Sequence, residues 1–240
     1  MSSDNTVIVT GASGDIGVAI IERLVADGIR VAACCHSNPE KLAVAFGSAV
    51  DIYQLDLRDE KNIKTCATKI IKATTSVAGL VNCAGIAMGN LFALTRISDL
   101  RDIYDVNFFG PLLFTQYVTR KLTRQKSGSI VNITSTAGLL ADSGTLAYGG
   151  SKASLGHASR VLATELGPLG IRVNAVAPSA VDSGMADQMD VAARAKLSDR
   201  EALPGNTLPR DVANVVSYLL SDRAAAISGQ IIRVDRGMPF

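Results

Sequence analysis

Thr6-Val7-Ile8-Val9-Thr10-Gly11-Ala12-Ser13-Gly14-Asp15-Ile16-Gly17 is a β-branched apolar run that breaks into a glycine-rich turn. Apolar residues then recur at helical spacing over Ile16–Asp27, and Gly28 stops them. Strand, glycine turn and helix in that order open a βαβ unit. In that setting glycines permit a tight turn and let backbone approach a pyrophosphate. The helix N-terminus offers unpaired N–H groups and the positive end of its dipole. Gly11, Ser13, Gly14, Asp15, Ile16 and Gly17 are therefore the first candidate nucleotide contacts.

The same alternation continues outward from this unit. Strands are expected at Arg30–Cys34, Val50–Leu55, Gly79–Asn82, Ser129–Thr134, Ile171–Ala177 and Gln230–Val234. Helical patterns fill Pro39–Phe46, Glu60–Thr74, Ser98–Gln125, Ala147–Leu166 and Asp211–Leu220. Alternation of this kind predicts an α/β fold: a Rossmann-type, doubly wound parallel sheet of about seven strands with helices on both faces. No linker or repeat divides the chain, so residues 1–240 read as one domain. Residues 179–206, polar, Ala-rich and punctuated by Gly184, Pro204 and Gly205, read as a mobile helical lid within it.

Composition narrows the classes. Of 240 residues, 48% are hydrophobic and 19% charged, enough to bury a sizeable core. A formal charge of +2, from 24 basic and 22 acidic residues, argues against nucleic acid or an anionic membrane as main partner. There is no secretory leader and no run long enough for a transmembrane helix, so a cytoplasmic protein is expected. Cys34, Cys35, Cys66 and Cys83 lack metal-ligand spacing and read as buried reduced thiols, with no metal site.

A proton-transfer pair stands in Tyr148-Gly149-Gly150-Ser151-Lys152. Residues i and i+4 share a helix face, so Tyr148 and Lys152 project together. A free phenol titrates near pH 10, and a neighbouring ammonium is expected to lower that value toward neutrality. Tyr148 then serves as general acid in a reduction or base in an oxidation.

Taken together, these motifs resemble the short-chain dehydrogenase/reductase family across nearly the whole chain. Thr10 to Gly17 is similar to its Thr-Gly-x-x-x-Gly-x-Gly turn, with Asp15 standing where the middle Gly would fall and Gly14 before it. Asn82-Cys83-Ala84-Gly85 resembles its Asn-Asn-Ala-Gly stretch, Asn107 its helix Asn, and Ser135, Tyr148 and Lys152 its catalytic set. Ser228-Gly229-Gln230 and Val234-Asp235-Arg236-Gly237 resemble its C-terminal strand. The resemblance implies a nicotinamide cofactor whose hydride chemistry is its own. It also implies that Lys152 reaches the nicotinamide ribose, that Ser135 holds the substrate oxygen, and that Asn107 anchors a water linking Lys152 to solvent. Further implied cofactor contacts are Asn82, Ala84 and Gly85, Asp56-Leu57 at the adenine, and Pro178, Val181 and Ser183 by the nicotinamide.

The end of the second strand, Ala33 to Asn38, holds no carboxylate to bind a ribose 2′-hydroxyl, and His36, Ser37 and Asn38 are candidate donors to a 2′-phosphate. NADP(H) is favoured over NAD(H), although no Arg or Lys stands within that stretch. Leu139, Leu140 and Met185 are candidates for an apolar substrate wall or for ordinary packing. Among family members the pattern is most similar to 3-oxoacyl-thioester reductases, implying an acyl-thioester substrate on coenzyme A or acyl carrier protein, as in fatty acid biosynthesis. Arg120, Lys121, Arg124 and Lys126 are the basic cluster that a carrier protein would meet, or a solvated helix end; Leu169 stands where a second basic residue would strengthen that case. A homotetramer is implied by the resemblance. The alternatives are reduction or oxidation of a polyketide, sugar or steroid, and a nucleotide-binding regulator without catalysis.

Overall fold

A computed structural model describes residues 5–184 and 199–239. Strands are β1 (Asn5–Thr10), β2 (Arg30–Cys35), β3 (Val50–Gln54), β4 (Ser76–Asn82), β5 (Gly128–Ile133), β6 (Ile171–Pro178) and β7 (Ile231–Val234). Helices are α1 (Asp15–Ala26), α2 (Pro39–Phe46), α3 (Glu60–Ala73), α4 (Ile97–Tyr104), α5 (Gly110–Gln125), α6 (Leu146–Leu166) and α7 (Pro209–Leu220). The strands form one parallel sheet in the order β3-β2-β1-β4-β5-β6-β7. Strand order reverses between β1 and β4, which opens a crevice at their carboxyl ends.

Alternation along each strand decides which helix it meets. Val7, Val9, Val31, Ala33, Val81, Val131 and Val176 pack with Ile20, Ile21 and Leu24 of α1, Leu42 of α2 and Val212, Val216 and Leu219 of α7. Their neighbours Ile8, Ala32, Leu80, Ile130 and Val173 face Ile63 and Ile70 of α3 and Phe114, Val118 and Leu122 of α5 on the opposite side. Both faces of the central strands are buried, which is why those strands read as continuous apolar runs.

Two differences from the sequence expectation exceed two residues. Strand β4 begins at Ser76 rather than Gly79, because Asn5 and Thr6 of β1 pair with Ser76 and Val77. The helical pattern over Ser98–Gln125 is interrupted by a π-helical turn, Asp105–Phe109, between α4 and α5. Pro111 supplies the cause: it has no N–H to return to the carbonyl four residues back, so the ladder widens there. Of the expected lid, residues 185–198, and with them Met185, lie outside the described residues. Among the described residues no helix is long and apolar enough to cross a membrane.

Candidate active site

The glycine turn is built backbone against backbone. Gly11 has φ +66°, and a Cβ there would sit 2.6 Å from the Cα of Ala84 in the turn after β4. Thr10 fixes the same contact, its Oγ1 accepting from the N–H groups of Cys83 (3.1 Å) and Ala84 (3.2 Å). The Ala12 N–H donates to the Cys34 carbonyl at 3.0 Å, tying the turn to β2. Gly14 is the N-cap of α1 and no side chain caps that end. The first N–H groups of α1 are thus left for an anion, a donor set that fits a pyrophosphate.

Around this cradle the expected contacts fall unevenly. His36, Ser37 and Asn38 are exposed. His36 Nε2 lies 3.6 Å from Asp56 Oδ2, and Asp56 Oδ1 accepts from the Arg58 N–H at 2.9 Å. Leu57 is buried. The Asp15 carboxylate accepts from the Gly184 N–H at 2.8 Å. Asn82 is placed differently: its side chain is buried, donating to Thr115 Oγ1 (2.9 Å) and Asn132 Oδ1 (2.8 Å), so it braces β4 against α5 and β5. Two groups escaped the sequence reading. Thr10 was hidden as the last strand residue. Lys41, four residues past Ser37, reaches back to donate to the Ser13 carbonyl at 3.2 Å.

The proton-transfer groups sit on the next strand over. Ser135 follows β5 and Tyr148 and Lys152 share the first turns of α6. Gly149 and Gly138 permit the approach between these segments: a Cβ on Gly149 would lie 2.4 Å from the Ala137 carbonyl oxygen, and one on Gly138 would lie 2.7 Å from the Ala153 nitrogen. This brings the Ser135 hydroxyl close enough to the Tyr148 phenol to favour its ionised form. Lys152 is buried, its Nζ 2.8 Å from the Ile133 carbonyl and 5.9 Å from the Tyr148 ring centre. Lys152 Nζ and Asn107 Oδ1 both flank Gly85, at 3.1 and 3.2 Å from the position of an added Cβ. Since Ala84 touches Gly11, the turn at Asn82–Gly85 joins the cradle to the proton-transfer groups.

Asn107 lies in the π-helical turn and is fully buried. Its Oδ1 accepts from the Ile86 N–H (2.8 Å), and its Nδ2 donates to the Ile86 carbonyl (2.9 Å) and Ser151 Oγ (3.0 Å). The Ser151 hydroxyl donates in turn to the Tyr148 carbonyl at 2.7 Å. Asn107 therefore pins the start of α6 to the turn after β4.

Electrostatics corrects one expectation. The Tyr148 phenol is pushed up from its ordinary value by burial, and the nearby Ser135 hydroxyl opposes that rise. The ammonium lies across the ring and spends a donor on a carbonyl. Burial instead lowers Lys152 from 10.5 to about 8. Cys83, beside it, is raised to about 12 by burial and is no nucleophile.

On the far side of the crevice Pro178 and Val181 are buried, and the Ser183 hydroxyl donates to the Val181 carbonyl at 3.1 Å. The Ser179 hydroxyl donates to Glu201 Oε1 at 2.7 Å and lies 3.2 Å from Thr207 Oγ1. Arg236 clamps the same segment through the Leu203, Pro204 and Asn206 carbonyls. Arg200 pairs with Asp142 at 2.9 Å, across to the loop carrying exposed Leu139 and half-buried Leu140.

A parallel doubly wound sheet with a glycine cradle at its switch point, and a Ser–Tyr–Lys set beside it, defines a nucleotide-binding oxidoreductase. A family model described as enoyl-(acyl carrier protein) reductase matches residues 11–239. The chain is 33% identical over 237 residues to a 3-oxoacyl-[acyl-carrier-protein] reductase of Aquifex aeolicus, covering 96% of each. It is 33% identical over 235 residues to nodulation protein G of Rhizobium meliloti, covering 96% of this chain and 95% of that one. Among solved structures it superposes on a short-chain dehydrogenase/reductase from Mycobacterium ulcerans with a TM-score of 0.92 at 27% identity, covering 98% and 90% of the two chains. It superposes on levodione reductase at 0.91 and 25%, covering 98% and 97%. The chain belongs to the short-chain dehydrogenase/reductase family and is an oxidoreductase.

Proposed function

We propose that this protein is an NADP(H)-dependent reductase of 3-oxoacyl thioesters, carried on coenzyme A or acyl carrier protein. The observation that carries the reading is the approach of the Ser135 hydroxyl to the Tyr148 phenol beside buried Lys152. Two O–H donors meeting at one point suit a carbonyl oxygen, on which charge develops during reduction. The 3-oxo group of a 3-oxoacyl chain offers such an oxygen on the carbon that takes the hydride. Nicotinamide, when bound, supplies the electron pair. Tyr148 gives its proton to the substrate oxygen, and Ser135 donates a hydrogen bond to the same atom. A phenol kept protonated by its surroundings suits the acid of a reduction.

Lys152, lowered to about 8, is poised to hold and return protons near neutral pH, and its ammonium would bind ribose hydroxyls when nucleotide is present. Asn107 is a positioning residue for α6, through Ser151 and Tyr148. The backbone turn at Asn82, Ala84 and Gly85, with Gly11, Ser13, Gly14, Asp15, Ile16, Gly17, Asp56 and Leu57, forms the cofactor wall, and Pro178, Val181 and Ser183 close its nicotinamide end.

The 3-oxoacyl relatives support the thioester class. Of the basic cluster at the end of α5, Arg120 stacks over Tyr117 and Lys121 contacts the Thr74 carbonyl, leaving Arg124 and Lys126 as the better candidates to meet a carrier. Exposed Ile97, Phe109, Leu146 and Val161 on the α4–α6 face support a homotetramer. The test is NADPH oxidation with acetoacetyl-CoA set against crotonyl-CoA. Turnover of the first alone is expected. Turnover of crotonyl-CoA alone overturns carbonyl reduction, and turnover of only an unrelated ketone overturns the thioester.

A further inference from the structure

Lys41 lies outside every motif that places the catalytic groups, yet its side chain ends in the nucleotide cradle. Helix α2 starts after Asn38, whose φ of 59° is left-handed, and Pro39 follows as its first residue. That reversal turns the first turn of α2 back over the glycine turn. Lys41 Nζ donates to the Ser13 carbonyl at 3.2 Å and lies 3.9 Å from Asp15 Oδ1. An ammonium has three donors. One meets the Ser13 carbonyl, the ion pair with Asp15 is long, and the side chain is 51% exposed, so capacity for a further anion is left.

The neighbourhood says which anion. The first N–H groups of α1 suit a pyrophosphate, and Asp56 and Leu57 lie after β3 on the adenine side. The adenosine ribose between them must pass the gap between Ser13 and the end of β2. Cys35, His36, Ser37 and Asn38 bring no carboxylate to that gap. His36 turns away toward Asp56. Lys41 is thus the cation that reaches the gap from the glycine-turn side.

We propose that Lys41 selects a 2′-phosphorylated dinucleotide by pairing with the adenosine 2′-phosphate, with Asp15 holding the ammonium in place until it arrives. The inference rests on the oxidoreductase reading above and adds the source of its nucleotide preference. A charge-assisted bond to a dianion at a half-exposed site contributes roughly tenfold in affinity.

The experiment is fluorescence titration of the full chain with NADPH and, separately, NADH, for wild type, Lys41→Ala and Lys41→Arg at low and high salt. Lys41→Ala is expected to weaken NADPH roughly tenfold and leave NADH within about twofold. Lys41→Arg is expected to keep the preference, and the salt dependence of NADPH binding is expected to flatten in Lys41→Ala. Equal loss for both nucleotides overturns the inference, since the ammonium then serves the pyrophosphate. A wild type that prefers NADH, or an unchanged ratio in Lys41→Ala, also overturns it while leaving the oxidoreductase reading intact. Wild type that binds neither nucleotide overturns both.

Discussion

Replacing Lys152 by Met should make the protein more stable and catalytically dead. The Lys152 ammonium is buried, with one hydrogen bond to the Ile133 carbonyl at 2.8 Å. Burial lowers its pKa from 10.5 to about 8. A drop of that size means that keeping the amine charged in the fold at neutral pH costs about 3 kcal/mol relative to the unfolded chain. Met fills similar volume without charge but abandons the Ile133 carbonyl, giving back about 1 kcal/mol. The net expectation at pH 7 is a gain of about 2 kcal/mol, or roughly 5 °C in Tm for a chain of this length. Between pH 8 and 10.5 the unfolded chain binds more protons at this site than the fold does. Wild-type stability therefore rises with pH through that window relative to Lys152→Met, and the variant's advantage shrinks. Urea denaturation followed by circular dichroism at neutral pH and at about pH 9.5 measures both quantities. A variant less stable than wild type at pH 7, or a difference that does not change with pH, would refute the reasoning.

Two further substitutions probe the frame around the site. Gly11→Ala combines a left-handed φ of +66° with a Cβ 2.6 Å from Ala84 Cα, and a loss of about 3 kcal/mol is expected by thermal denaturation, with weakened nucleotide binding. Ser179→Ala removes a donor from the buried Glu201 carboxylate and is expected to cost about 1–2 kcal/mol, read as a lower urea midpoint with unchanged slope.

The strand–helix alternation was legible because the central strands are buried on both faces and helices such as α3 and α7 carry an apolar stripe. Ser76-Val77-Ala78 was not, since its strand character comes from pairing with β1 and not from its own residues. The π-helical turn at Asp105–Phe109 hid inside a helical period, although Pro111 was its visible cause. At the site, Ser135, Tyr148 and Lys152 could be picked out by spacing, but the sign of the Tyr148 shift could not. Spacing reports a neighbouring charge and is silent about desolvation, which dominates here. Asn82 reads as a site residue from its motif, yet its amide is committed to Thr115 and Asn132. The role of Lys41 is not legible in sequence because its direction depends on the left-handed backbone at Asn38.

Tyr148→Phe isolates the proton donor from everything else in the crevice. The substitution keeps the ring that packs beside Lys152 and removes only the hydroxyl that Ser135 approaches. The decisive measurement is kcat for NADPH-dependent reduction of acetoacetyl-CoA, taken alongside NADPH affinity. Expected is a fall in kcat of roughly 10²–10⁴ with nucleotide affinity held within about twofold. A Tyr148→Phe protein that keeps most of the wild-type kcat would contradict proton donation by Tyr148.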